Sequence, residues 1–272
     1  MYKTIFINFS SPETTDLVSE VSAHIADKHN AHLIGTYISP SLNLYGGMPS
    51  DILATYNDNQ RKIAEAIKAE FTRVASRRNL SFEWSHTSVP MARAVPHLVA
   101  EARIADLIVT CGNDSNNKQP AYDDVPVRLT LETGRPVMLV PSAGNFATIG
   151  ERIAIAWNRS RESARAAFDA LPLLRTADTV TVISINSTEE GAVRPGEDLA
   201  TTLSRHGVVA RTAAGTTTTR SEGEALLDVI ADHDSDLLVM GCYGRSRLRE
   251  MVLGGVTRHV LSHLNIPVLV SH

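Results

Sequence analysis

One pattern occurs twice in this chain, and it limits the fold more than any other feature. The segment "ADLIVTCGND" at 105–114 resembles "SDLLVMGCYG" at 235–244, with Asp106 and Asp236 each leading a four-residue apolar run 130 residues apart. Further on, "GRPVMLVP" at 134–141 matches "NIPVLVSH" at 265–272, at a separation of 131. A unit that recurs at this spacing within 272 residues implies two domains of one build, each long enough to bury its own core. At the front, "INFSSPETTD" from Ile7 resembles "WNRSRESARA" from Trp157, now 150 apart, which sets Asn8 against Asn158 and Ser10 against Ser160.

Each half reads as five strands alternating with helices. In the second half these fall near 152–157, 160–175, 179–185, 207–213, 222–233, 236–241, 255–264 and 267–271. Strands such as "DLLVM" are apolar on both faces, as a parallel sheet covered by helices on each side requires. Before the helix at 222, Ser221 and Glu224 have the spacing of a capping box. The expected fold class is therefore α/β: two tandem Rossmann-like, doubly wound domains, each a mainly parallel five-stranded sheet flanked by helices. The first domain is expected at 1–143 and the second at 150–272, joined by the Pro/Gly-rich "PSAGNFATIG". The first carries a long insertion at 39–79, in which Ile63, Ile67, Phe71 and Val74 mark one face of a long helix.

Composition excludes several functions. No run approaches the roughly 20 apolar residues of a transmembrane helix, and the start lacks the pattern of a secretory signal, so the expectation is a cytoplasmic protein with no membrane partner. A formal net charge of -4 gives no reason to expect nucleic acid. Cys111 and Cys242 are too few for a disulfide framework or a zinc site and read as small, partly buried thiols. His259 and His263 share a helix face, but no third ligand accompanies them, so no metal is expected. Ser246 and Ser262 lack the pattern of a positioned nucleophile, and no catalytic residue is assigned.

The stretch "MGCYGRSRLREMVLGGVTRHVL" holds the candidate site. Ligands of open parallel sheets bind beyond the carboxyl ends of the strands, where successive connections diverge. The strand "DLLVM" delivers Gly241 to that edge. Gly241 and Gly244 are expected to permit positive φ and close backbone approach, and Gly254 and Gly255 to open a helix near Val256. That helix N-terminus would attract an anion, with Arg245 the arginine best placed to reach phosphate. Neither G-x-x-x-x-G-K-[ST] nor a G-x-G-x-x-G after the first strand of either half is present; the spacing is G-x2-G-x9-G.

The repeat order, the aspartate leading the fourth strand, G-x2-G-x9-G and the closing "PVLV" resemble the universal stress protein family in its tandem form. The resemblance implies stress-response proteins without robust catalysis, some of which bind ATP through the glycine loop and many of which dimerise through the last strand. Carried over, Gly241, Gly244 and Gly254 match family glycines, Gly255 stands where a Ser or Thr is usual, and Thr257 matches a family threonine. The acidic residue that meets adenine is replaced by Asn158, and by Asn8 in the first half, whose loop brings Asp123 and Asp124 where phosphate would lie. The resemblance thus implies an ATP or other adenine-nucleotide site in the second half at Asn158, Gly241, Gly244, Arg245, Gly254, Gly255, Val256 and Thr257. It also implies an intrachain pseudo-dimer of the two halves and further homodimerisation. Trp157 suits either stacking on a base or a core position. Two rival readings stand beside this one: a stress protein that has lost ATP and works through another small ligand or protein contacts, and a slow nucleotide hydrolase.

Overall fold

The computed structural model describes residues 1–41, 50–112, 124–146, 148–185, 196–217, 221–244, 255–263 and 265–272. They divide into two compact units, Tyr2–Ala143 and Gly144–His272. In the first, β1 (Thr4–Asn8), α1 (Pro12–His29), β2 (His32–Ser41), α2 (Ser50–Arg77), β3 (Phe82–Pro90), α3 (Met91–Ala102), β4 (Leu107–Cys111), α4 (Val125–Glu132) and β5 (Val137–Val140) follow in chain order. In the second come β6 (Arg152–Ala156), α5 (Arg161–Asp169), α6 (Leu171–Leu174), β7 (Thr179–Ile185), α7 (Glu197–Ser204), β8 (Ala210–Gly215), α8 (Glu222–Asp232), β9 (Leu237–Gly241), α9 (Gly255–His263) and β10 (Val268–Ser271).

Strand order is β3-β2-β1-β4-β5 in the first unit and β8-β7-β6-β9-β10 in the second, with parallel pairing throughout. Each is a Rossmann-like α/β sheet whose connections diverge between its first and fourth strands. Burial within the first sheet follows place: β4, paired on both sides, is buried at every residue, whereas the edge strand β3 alternates with solvent. In α2, Ala64, Ile67, Phe71 and Val74 are buried, and the Phe71 ring lies so close to Gly35 of β2 that a Cβ there would come within 2.6 Å of it. Among the described residues, the corresponding connection of the second unit carries the eight-residue helix α7.

Two local expectations need correction. The helix expected over 160–175 is two helices, because Pro172 sits in the first turn of α6 and has no N–H to continue the ladder from α5. The pairing of Asn8 with Asn158 is also displaced. Ile5 stands opposite Leu107 and Ile153 opposite Leu237, so strand register equates Ile5 with Ile153 and Asn8 with Ala156. Phe9 and Trp157 agree, donating in equivalent places to the Thr36 and Ile183 carbonyls. Asn158 is therefore level with Ser10, while Asn8 is buried and donates from Nδ2 to the Thr110 hydroxyl at 3.0 Å.

The aspartates that mark the repeat act as clamps on the sheet. Asp236 accepts from the backbone N–H groups of Gly150, Glu151 and Arg152 at 3.0, 3.2 and 3.0 Å. Asp106 accepts from Lys3 and Thr4 at 2.7 and 3.0 Å. Each ties the start of its unit's fourth strand to the start of its first. The capping box before α8 is complete, with Glu224 N–H donating to Ser221 Oγ and Ser221 N–H donating to the Glu224 carboxylate. No helix among the described residues is long and apolar enough to cross a membrane.

Candidate functional site

A cavity of about 490 Å³ opens at the carboxyl ends of β6, β7 and β9, where the second sheet's connections diverge. Of the residues singled out from sequence, Asn158, Gly241, Gly244, Val256 and Thr257 line it. Gly255 opens α9 beside them, and a Cβ there would meet nothing within 4 Å. Arg245 and Gly254 lie outside the described residues. Ile183, Ile185, Leu226 and Met240 supply an apolar wall, and Trp157 joins it from the loop after β6. The Trp157 Nε1–H is buried and has no hydrogen-bond partner among the described residues.

The first loop glycine is required by packing. A Cβ on Gly241 would lie 2.3 Å from the Glu162 carbonyl carbon and 2.4 Å from the Ser163 nitrogen. The end of β9 therefore touches the backbone of the first turn of α5, an approach only glycine permits. The expected positive φ is not found at Gly241 or Gly244; it falls on Tyr243, at 61°. A bulky residue in the left-handed region carries backbone strain that its surroundings must hold in place. The Tyr243 ring lines the cavity and lies edge-on to His272, and burial pushes its hydroxyl pKa up.

Asn158 is exposed and its carbonyl is already engaged. Its Oδ1 accepts from the Ser160 backbone N–H at 3.1 Å, closing a turn in which Arg159 takes φ 59°. Ser160 then caps α5, accepting from the Ser163 N–H at 3.1 Å. One acceptor position of this carbonyl is thus spent on its own backbone, the local competition that Asn commonly offers.

Sequence reading missed Glu162. Its side chain is only 5% exposed, in the second position of α5, and it lines the cavity. Oε1 meets the Arg161 guanidinium at 3.2 Å, while Oε2 is buried and has no hydrogen-bond partner among the described residues. Burial works to raise this carboxyl's pKa, but its own backbone N–H, Arg161, His272 and the Ser160 hydroxyl outweigh that and hold it below the ordinary value, so it is ionised at neutral pH. Glu222, in the first turn of α8, adds a second carboxylate to the lining. Among the described residues no lysine or arginine lines this cavity. The one available signal was Glu162's place just after a Ser cap, and that reads equally well as an ordinary first-turn acid.

The first unit is built differently at the equivalent point. Cys111 occupies the place of Gly241, so its strand end carries a side chain where the second unit brings backbone against backbone. Asp124 stands at the start of α4, and Asp123 lies outside the described residues. Cys242 is buried with Sγ directed at the Ser271 carbonyl at 3.6 Å, and burial raises its thiol pKa, which keeps it protonated and unreactive. The His259 and His263 rings stack with centroids 4.2 Å apart.

Residues 150–272 match the model of the Universal stress protein family. The second half is a universal stress protein domain. Over 47 residues the chain is 38% identical to universal stress protein MJ0577 of Methanocaldococcus jannaschii, covering 17% of this chain and 29% of that protein. Over 46 residues it is 46% identical to universal stress protein Slr1230 of Synechocystis, covering 17% and 16%. The matched segments thus span less than a third of either relative. The crystal structure of a universal stress protein from Archaeoglobus fulgidus aligns over 98% of this chain and 97% of its own, with TM-score 0.75 and 14% identity. At that identity the likeness is one of fold, and it runs through both halves of the chain. Within the universal stress protein domain, the cavity at the β6–β9 divergence unites the glycine loop with the turn after the first strand.

Proposed function

We propose that the universal stress protein domain in the second half binds an adenine nucleotide in the β6–β9 cavity, and that the protein acts through ligand-dependent shape or partner binding, with turnover slow or absent. The observation that carries this reading is the convergence of Asn158, Gly241, Gly244, Val256 and Thr257 on one cavity beside Trp157. The lining suits the nucleoside part. A flat base is matched by the apolar wall and the indole, whose unpartnered N–H offers a donor, and Thr257 brings a buried hydroxyl from the first turn of α9. The first half, with Cys111 in place of the strand-end glycine, is proposed to hold no nucleotide.

Equilibrium titration of the ligand-stripped protein with ATP, ADP and AMP tests this. One site per chain is expected, with no phosphate release over hours in the presence of magnesium. Binding of none of the three would turn the search to other small ligands or protein partners. Rapid phosphate release would favour a hydrolase instead.

A further inference from the structure

Building on that reading, we infer that Glu162 is a specificity residue which makes the cavity prefer the neutral, hydroxyl-bearing part of an adenine nucleoside over a polyphosphate. Three features of the structure converge on this. First, the residue is anchored: the backbone of Glu162 is pressed against Gly241, while its Oε1 meets the largely exposed Arg161 guanidinium at 3.2 Å. Second, Oε2 is buried, has no hydrogen-bond partner among the described residues and faces the loop glycine, since a Cβ on Gly244 would stand 3.3 Å from it. Third, Glu222, in the first turn of α8, adds a second carboxylate to the lining.

An ionised oxygen stripped of water and left unpaired favours any ligand that brings a donor. The vicinal hydroxyls of a ribose are such donors. A phosphate seated on the Gly244 backbone would instead lie close to a buried like charge, where screening by water is weak. The residue that the glycine loop packs against therefore opposes the anion that glycine loops commonly attract.

The test compares adenosine with ATP, both titrated in EDTA so that no divalent cation bridges phosphate to carboxylate, against the wild-type chain and Glu162→Gln. The amide is isosteric, and it is the backbone of Glu162 that packs on Gly241. Glu162→Asp, which withdraws the carboxylate by one methylene, provides a second variant, and urea unfolding checks that each variant is folded. Wild type is expected to bind adenosine about ten-fold more tightly than ATP, and Glu162→Gln to shift that ratio about ten-fold toward ATP. An adenosine-to-ATP ratio that is the same in wild type and both folded variants would overturn the inference while leaving the nucleotide site standing. If neither ligand binds wild type or variant, the nucleotide reading itself fails, and this inference with it.

Discussion

Replacing Gly241 with alanine adds one methyl group to the glycine loop, and the structure sets its cost. The new Cβ would begin 2.3 Å from the Glu162 carbonyl carbon, 2.4 Å from the Ser163 nitrogen and 2.7 Å from the Glu162 oxygen. Ordinary carbon contacts lie near 3.5 Å, so strand and helix must part by about 1 Å. No rotamer change can relieve this, because all three atoms are backbone. β9 is held by parallel neighbours on both sides, and the first turn of α5 is held by its Ser160 cap. The cost should sit at the upper end of overpacking, about 3 kcal/mol. Gly255→Ala makes the same chemical change with nothing within 4 Å, and should fall within about 0.5 kcal/mol of wild type. Urea unfolding followed by Trp157 fluorescence in a Trp84→Phe background reports the second unit alone, since these are the chain's two tryptophans. Equal unfolding midpoints for the two alanine variants would refute the packing argument.

Other consequences can be checked in the same way. Asp236→Ala strips three backbone N–H groups of their acceptor and should cost the second unit about 3 kcal/mol, read as a lower urea midpoint. Ser221→Ala removes the capping box of α8 and should cost about 1 kcal/mol in the same assay. In the first unit, burial first and then neighbouring positive charges, Lys28 and Lys3 among them, hold the pKa of His29 below its ordinary 6.5. The unfolded chain therefore binds a proton that the folded unit refuses. This contribution is intact above about pH 6.5 and is lost as pH falls from there toward the lower folded value. His29→Gln should flatten the stability profile of the first unit in that window; an unchanged slope would show that His29 is not the group responsible.

Much of the architecture was written locally. Runs such as "LIVTC" and "LLVMG" are short and mostly apolar on both faces, as strands covered on both sides require. Ser221 and Glu224 announced the start of α8, because a capping box is made by residues three apart. Pro172 was equally visible, and its missing N–H should have ended α5 where the structure ends it. The repeat itself required two copies of one sheet. Register was another matter. A similarity at a 150-residue offset set Asn8 beside Asn158, but hydrogen bonding across the sheet aligns Asn8 with Ala156, because strand neighbours, which are remote in sequence, decide which residues are level.

The site divides along the same line. Sequence spacing picked out Gly241 and Gly244, and both line the cavity. Why Gly241 must be glycine was decided by α5, nearly eighty residues earlier in the chain, whose backbone occupies the space of any side chain. Glu162 is a common residue in a common place, the first turn of a helix, and its local sequence says nothing of burial. Only in the folded unit is its carboxylate withdrawn from water, with one oxygen left without a partner among the described residues. Periodicity and caps depend on neighbours along the chain and can be read from sequence. Burial and electrostatic pairing depend on neighbours in space, and tertiary structure alone supplies those.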